Sequence, residues 1–374
     1  MQTEVGMKNT FGNSLTVTLF GESHGDYIGA VIDGIAPGIT VDHAYICARL
    51  ALRRPSGRIS TARVEADEYK IVSGEYMGKT TGTPLTILIP NTNKRSGDYK
   101  NIALTPRPGH ADYTAECKYH GFQDPRGGGH FSGRITAALV AAGAVISSAL
   151  ISKGIRIGTH ISSLGEVSDR AFGELYDDIA ELNSKPFPTL STETGDEMRR
   201  VIEAAAADGD SVGGVLETAV IGVPCGVGEP WFDSAESMLA HGLFSIPGIK
   251  GVEFGAGFGI SRLRGSEAND AFTFDKDDNV ITKTNNNGGI NGGITNGMPI
   301  IFRCAVKPTP SIYKEQDSVC LDTMECVKLA IEGRHDPAII HRARAVVDAV
   351  AAIAIADMLT ARFGTDYLAE KEDF

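Results

Sequence analysis

The sequence is short of nearly every feature that marks a covalent, metal-dependent or membrane-bound protein. Its six cysteines, Cys47, Cys117, Cys225, Cys304, Cys320 and Cys326, form no C-x-x-C pair and no zinc-ligand spacing. Scattered thiols of this kind fit a reducing compartment and not a disulfide framework. There is no G-x-x-x-x-G-K-[ST] phosphate loop and no G-x-S-x-G nucleophile elbow. Met1–Asn13 carries Glu4 and Lys8 and no apolar core, so no signal peptide is expected. The most apolar stretch, Ala137–Ile151, reads as too short and too rich in Ser and Gly to cross a bilayer. A cytoplasmic protein with no membrane partner is expected. Basic charge is scarce as well. Lys and Arg number 35 against 47 Asp and Glu, a net charge of -12. That balance disfavours nucleic acid as a partner, although a cleft can still focus positive potential locally.

What is abundant is glycine: 44 of 374 residues, about 12% against a usual ~7%. With no G-X-Y period, the excess points to tight turns and close backbone approaches. Hydrophobic residues at 42% and charged residues at 22% are ordinary globular values. The length corresponds to one large domain or two of about 150 residues.

Ser14–Phe20 reads as a strand, Asp42–Arg53 as a helix after the turn Ala36–Pro37–Gly38, and Pro84–Ile89 as a second strand. Ser132–Lys153 and Pro337–Phe363 read as long Ala-rich helices, and Glu197–Ala207 as a shorter one. Val215–Val223 and Pro299–Val306 read as strands, and Ser163–Lys185 as a polar excursion. Strands and helices mix without strict alternation, which favours an α+β or layered fold over a doubly wound sheet.

Three motifs recur in order. Gly21–Glu22–Ser23–His24–Gly25 is echoed by Gly209–Asp210–Ser211–Val212–Gly213. Thr81–Gly82–Thr83–Pro84–Leu85 is echoed by Asn296–Gly297–Met298–Pro299–Ile300. Gly109–His110 with Asp112 precedes one long helix, and His335–Asp336 the other. The order predicts an internal duplication about a pseudo-twofold axis, with halves near 7–155 and 198–364 and a tail over 365–374. Any chemistry would be asymmetric, because the first copy has His24 where the second has Val212.

The chemistry-bearing residues sit in glycine-rich turns. Gly21–Gly25 exposes a histidine that titrates near neutral pH; a plain surface turn is the alternative. Arg107–Pro108–Gly109–His110–Ala111–Asp112 places a second histidine between a base and an acid. Arg126–Gly127–Gly128–Gly129–His130–Phe131–Ser132–Gly133–Arg134 opens the first long helix. A flexible hinge and an anion site built on helix N–H groups both explain it, and the flanking arginines favour the anion site. The Asn285–Gly293 loop fits either a linker or a cradle for a flat ligand. In Arg334–His335–Asp336–Pro337 the Asp-Pro pair is explained by helix capping, but Arg334, His335, Arg342 and Arg344 are not. Arg53, Arg54, Arg58 and Arg63 make a cationic loop that, in so acidic a chain, suits an acidic small molecule. The inventory of histidines, an Asp, arginines and Gly-rich loops points to acid–base chemistry on a polyanion, with no metal site.

Taken together, these motifs resemble the signatures of the chorismate synthase family. The resemblance is carried by Asn9–Gly12, Gly21–Gly25, Arg53–Pro55, Thr80–Thr83, Arg107–Asp112, Arg126–Gly129 and Ser245–Pro247. It continues through Lys250–Glu253, Gly288–Ile294, Lys307–Thr309 and Arg334–Pro337, across nearly the whole chain. The first six residues precede the matched region, so Met7 is an expected start. The resemblance implies a β-α-β sandwich around a helical layer, usually as a homotetramer. It implies a lyase that converts 5-enolpyruvylshikimate 3-phosphate to chorismate and phosphate by anti-1,4-elimination, the last step of the shikimate route. Reduced FMN is needed although no net redox change occurs. By the same resemblance, His24 protonates the departing phosphate, His110 donates near flavin N1, Asp336 accepts a proton from flavin N5, and Ser23 supports this network. Flavin contacts would be His130, Phe131, Ser132, Pro247, Gly248, Gly292, Lys307, Pro308, Thr309, Pro310, Ser311 and Arg334. Arg53 and Arg58 match positions assigned to NADP contact, with NADPH as a reductant, and equally suit the substrate's anions, as do Arg126, Arg134 and Arg342. One departure is that His130–Phe131–Ser132 stands where many members have Arg-Ser-Ser. Two competing readings are a flavin- or anion-binding module without chemistry, and a nucleic-acid binder using the Arg53–Arg63 loop.

Overall fold

The computed structural model describes residues 8–55, 57, 59–60, 66–92, 104–331 and 335–370. Two antiparallel five-stranded sheets enclose a layer of helices, an α+β sandwich. The first unit contains β1 (Thr16–Gly21), β2 (Tyr27–Asp33), α1 (His43–Arg53), β3 (Lys70–Ser73), β4 (Leu85–Pro90), α2 (Asp112–Tyr119) and α3 (Thr136–Ser152). The second contains β5 (Arg156–Leu164), α4 (Leu175–Ser184), α5 (Thr192–Ala207), β6 (Gly214–Ile221), α6 (Ala235–Phe244), β7 (Ile249–Phe254), β8 (Ile300–Val306) and α7 (Ile340–Phe363). The first sheet runs Thr10–Phe11, β1, β2, β4, β3, and the second runs β7, β8, β6, β5, Val167–Ser168. The main strands and inner helices follow one sequence in both units: two strands, a helix, two strands, a long helix.

Local chemistry explains these elements. In β4, Leu85, Ile87 and Ile89 alternate inward and are fully buried, the period-two pattern of a strand with one face on a core. Asp42 caps α1, its carboxylate accepting the Tyr45 N–H at 2.9 Å. The long helices are rich in Ala because they pack almost backbone to backbone. A Cβ on Gly143 of α3 would lie 2.4 Å from the Cβ of Ala349 on α7. α3 lies on the first sheet, α7 on the second, and the two pack on each other with α1 and α6 alongside.

Several expectations change. With its leading turn, Gly133–Ser152 is long and apolar enough to cross a membrane, but it is the buried centre of the helical layer. Arg156–Leu164 is a full strand of the second sheet, so that sheet takes chain well ahead of residue 198. The expected excursion, Ser163–Lys185, begins with that strand's last two residues and continues through Val167–Ser168 into α4. The 365–370 segment is docked: Leu368 is buried, Lys153 Nζ donates to the Ala369 carbonyl at 2.7 Å, and Glu370 accepts the Thr40 N–H at 3.1 Å. Asp357 on α7 is likewise buried, accepting the N–H groups of Asn13, Ser14 and Leu15 at 2.9, 2.7 and 2.9 Å. It ties the entry to β1 to the second unit.

Candidate active site

At one end of the helical layer, turns from both units surround a cleft of about 1030 Å³. His24, His110 and Asp336, three turns far apart in sequence, all line it. So do His130, Phe131, Ser132, Pro247, Gly248, Lys307, Pro308, Thr309, Pro310, Ser311, Arg53, Arg134 and Arg342. Cations outnumber carboxylates along this wall, so the cleft is positive within an acidic molecule.

His24 follows β1 and is 4% exposed. The triple glycine sets its position. Gly127, Gly128 and Gly129 have φ of 61°, 82° and 51°, the left-handed region. A Cβ on Gly127 would come within 2.5 Å of His24 Cε1, and one on Gly128 within 3.2 Å of His110 Cε1. The glycines are therefore a bare backbone strip on which both imidazoles rest. They do not open the long helix, which starts at Thr136 after a separate short turn, Gly133–Ile135. The expected anion site on helix N–H groups is not formed there. Ser23 is fully buried behind His24, and its Oγ has no hydrogen-bond partner in the structure.

His110 sits between two partners from its own turn. Its Nδ1 is 2.6 Å from Asp112 Oδ1. Arg107 grips the same carboxylate with Nε and Nη2, both at 2.8 Å, and its Nη2 is 3.0 Å from His110 Nδ1. Burial pushes the Asp112 carboxyl up, but the hydrogen bonds and charges of Arg107 and His110 outweigh it and hold it well below the carboxylate range. Lys307 Nζ donates to the Gly109 carbonyl, joining this turn to the segment after β8.

On the other wall, the Thr309 hydroxyl donates to the Asp336 carbonyl at 2.5 Å, and Arg342 Nη2 donates to the Asp336 carboxylate. Arg53 and Arg134 are both anchored on buried Asp67. Arg53 Nη1 is 3.2 Å from Oδ2, and Arg134 Nη1 contacts Oδ1. Arg53 also donates to Thr136 Oγ1 at 3.0 Å and the Gly133 carbonyl at 3.2 Å, and Arg134 to Asn91 Oδ1 at 2.9 Å. Arg54 Nε is also 3.7 Å from Asp67 Oδ2, and three guanidinium groups on one carboxylate leave net positive charge beside the cleft. His130 donates its Nδ1–H to the Gly21 carbonyl at 2.8 Å, so its outer nitrogen is the one left for the cleft.

Two expected site residues are elsewhere. Gly292 is absent from the cleft lining; it belongs to the short hairpin 290–295. Asp270 holds the loop before it by accepting the N–H groups of Asn286 and Asn287 at 2.7 and 2.9 Å, which makes that loop a packed turn and not a cradle. Arg126 also lies off the cleft, spending its fork on its neighbour Asp124 at 2.8 Å through both Nε and Nη2. Arg58 and Arg334 fall outside the described residues, as does Met7.

Other functional residues went without a role in the sequence. Arg107 and Asp112 were visible in their motif, three before and two after His110, but only the structure joins them. Lys250, Ser245 and the Asn9–Phe11 strand also line the cleft. Asp67 had no local signal: it is a lone carboxylate at φ 51° whose hydrogen-bond partners are 14 residues before it and 67 after it.

Comparison with known proteins agrees with this arrangement. The family model described as chorismate synthase matches residues 15–360. A chorismate synthase of Pyrococcus abyssi is 46% identical over 352 residues, covering 94% of this chain and 97% of that protein. One of Thermococcus gammatolerans is 47% identical with the same coverage. A solved structure described as a crystal structure of chorismate synthase aligns with a TM-score of 0.75 at 29% identity, covering 96% of this chain and 95% of its own. With the family model spanning most of the chain and these relatives matching end to end, the chain belongs to the chorismate synthase family.

Proposed function

We propose that this cleft carries out the family's elimination on 5-enolpyruvylshikimate 3-phosphate with reduced FMN bound beside it. The observation that carries the reading is the meeting of His24, His110 and Asp336 in one cationic cleft. The reaction breaks a C–O bond to phosphate and a C–H bond at C6 and forms a conjugated diene, so its oxidation level is unchanged. The substrate brings two carboxylates and a phosphate, and Arg53, Arg134, Arg342, Lys250 and Lys307 bring the opposing charge. When bound, reduced FMN supplies the electron density and the hydrogen acceptor that ordinary side chains cannot.

The residues fit a flat ring carrying a phosphate. The cleft holds about 1030 Å³, and Gly248 meets it at φ 95° with no side chain to obstruct a ring face. Phe131, Pro247 and Pro308 offer apolar surface, with Ser132, Thr309 and Ser311 as polar contacts. His24, in its buried niche, delivers a proton to the leaving phosphate. With the flavin bound, His110 would hold a proton toward the ring, and Asp336, fixed by Arg342, would be placed to accept one. Acid–base assistance of this kind is worth about 10²–10⁴-fold. NADPH was assigned to Arg53 and Arg58 by resemblance. The bonds Arg53 makes to Asp67, Thr136 and Gly133 favour a positioning role over capture of a second nucleotide. A homotetramer in the cytoplasm completes the reading. It is supported by the exposed Trp231, Phe232, Phe258, Phe272 and Phe274, which suit burial between copies, and by six free cysteines.

The test is anaerobic phosphate release with dithionite-reduced FMN. Turnover that requires the flavin and ceases in air is expected. Equal rates with and without flavin would overturn its role.

A further inference from the structure

We propose that Arg107 and Asp112 act on His110 in opposite senses, the carboxylate fixing its hydrogen at Nδ1 and the guanidinium opposing a second positive charge on the ring. The inference rests on the reading of this cleft as the reaction site and adds two positioning residues to it.

The geometry allows one assignment of hydrogens. Asp112 Oδ2 accepts from the Arg107 backbone N–H at 3.0 Å and from Arg107 Nε at 2.8 Å. Oδ1 accepts from Arg107 Nη2 at 2.8 Å. A carboxylate gripped this way is ionised and can only accept. His110 Nδ1, 2.6 Å from Oδ1, must therefore carry the hydrogen. That leaves Nε2 with a lone pair in the neutral ring. The second contact works against a charge there. Arg107 Nη2 lies 3.0 Å from Nδ1 and 3.1 Å from Nε2, so a fixed cation stands against both ring nitrogens, including the one that would be protonated. The carboxylate stabilises an imidazolium, the guanidinium destabilises it, and their own ion pair keeps the two in register.

The turn builds this triad into the chain. The His110 N–H donates to the Arg107 carbonyl at 3.2 Å, closing a turn through Gly109 at φ 71°. Asp112 then opens α2, so its carboxylate swings back over the turn. Side-chain exposures of 8%, 19% and 16% for Arg107, His110 and Asp112 keep water from screening the contacts. Asp112 is held well below the usual carboxylate range, as an obligate acceptor requires. Other charged or titratable groups of the same cleft are Lys307, beside Gly109, and Lys8, His24, Arg53, His130, Arg134, His241, Lys250, His335, Asp336 and Arg342. All are retained in the variants below, so they set the baseline and not the difference.

The experiment is ¹⁵N-histidine NMR of the full chain without substrate or flavin, with the His110 signals assigned by their loss in His110→Ala. Wild type is expected to show the Nδ1–H tautomer in its neutral form. Asp112→Asn, whose amide can donate to Nδ1, is expected to shift the ring toward the Nε2–H tautomer, and Arg107→Gln, which keeps the carboxylate acceptor, to retain Nδ1–H. An Nε2–H tautomer in wild type would overturn the proposal without any variant needing to fold. A tautomer unchanged in Asp112→Asn, or lost equally in both variants, would overturn it too. The measurement is independent of turnover. A fully active His110→Ala enzyme would defeat the functional reading instead, while the tautomer result still judges this one.

Discussion

The two units place equivalent turns at opposite ends of one task. In the first, Gly21–Gly25 joins β1 to β2 and delivers His24 to the cleft. In the second, residues 209–213 lead into β6 and carry no titrating side chain into the cleft. Their contacts are scaffolding. The Ser211 hydroxyl donates to the Thr309 carbonyl at 2.8 Å, and the Val212 N–H to the Pro337 carbonyl at 2.9 Å. Lys314 bridges Asp208 and Asp210 alongside. One copy of the turn presents an acid. The other clamps the two segments, around Thr309 and Asp336, that form the facing wall. Chemistry needed a histidine only once, and the duplicate position supports it.

The sharpest way to break this comparison is to remove the histidine. His24→Ala is expected to release phosphate at least about a hundredfold more slowly, with the loss in kcat and not in substrate binding. Parallel losses of binding and turnover would make His24 a substrate contact instead of the proton donor.

Gly127→Ala follows in size. The new methyl would meet the imidazole within 2.5 Å, at a φ of 61° that also strains an L-residue. Displacing His24 by a fraction of an ångström is expected to cost roughly 10- to 100-fold in kcat. Gly38→Ala is the control, with φ 82° and nothing within 4 Å of the added Cβ. It shares the backbone strain and should leave kcat near wild type. Equal damage from both would mean strain, not contact with His24, explains the loss.

A second buried histidine sharpens the comparison by lying outside the active-site cleft. His341, on α7, is 2% exposed and holds Ser60 Oγ at 2.8 Å through Nε2. Burial, then the neighbouring Arg342, Arg199 and Arg344, pushes its pKa from 6.5 down to about 3. Between those values the unfolded chain binds a proton that the folded protein refuses. Stability therefore falls as pH drops through that window, by about 1.4 kcal/mol per pH unit. His341→Gln should flatten the acid limb of a urea-unfolding series between pH 6.5 and 4 by about one proton. An unchanged slope would show that other groups cause the acid loss.

Much of this was legible in the chain. The signals were local: turn glycines, alternation in β4, Ala-rich helices, and motifs in a fixed order. His24, His110 and Asp336 were found because each sits in a turn whose glycines or proline announce it. The unread parts depend on contacts across the fold. Only the last two residues of β5, Ser163 and Leu164, fall in the expected polar excursion, and the strand's place in the second sheet is set by its pairing with β6, which no local signal marks. Gly127–Gly129 looked like a helix start because sequence shows that glycines are needed, not which neighbour needs them. Asp67 and its arginines could not be paired, since the partners come from three separate segments. Arg126 lies off the cleft because its fork is spent on Asp124, a pairing that composition does not reveal, whereas Gly292 is an exposed hairpin glycine with nothing within 4 Å of an added Cβ.

The scaffolding copy makes the smallest and most discriminating prediction. Ser211→Ala deletes one hydroxyl and leaves the Thr309 carbonyl without that donor, while the Thr309 side chain still reaches the Asp336 carbonyl. A single part-buried hydrogen bond is worth about 1 kcal/mol. Stability should fall by about that much by urea unfolding, with kcat down only a few-fold because no reacting proton passes through Ser211. The equivalent residue of the other copy, Ser23, is fully buried behind His24 with its Oγ unpartnered in the structure. No hydrogen bond is lost in Ser23→Ala, so stability should hold. A hydroxyl buried on the residue before His24, at some cost in unmet polarity, is one whose use comes during proton transfer, so kcat should fall by more than in Ser211→Ala. If Ser211→Ala instead lost more turnover than Ser23→Ala, the division between a chemical and a supporting copy of this turn would be wrong.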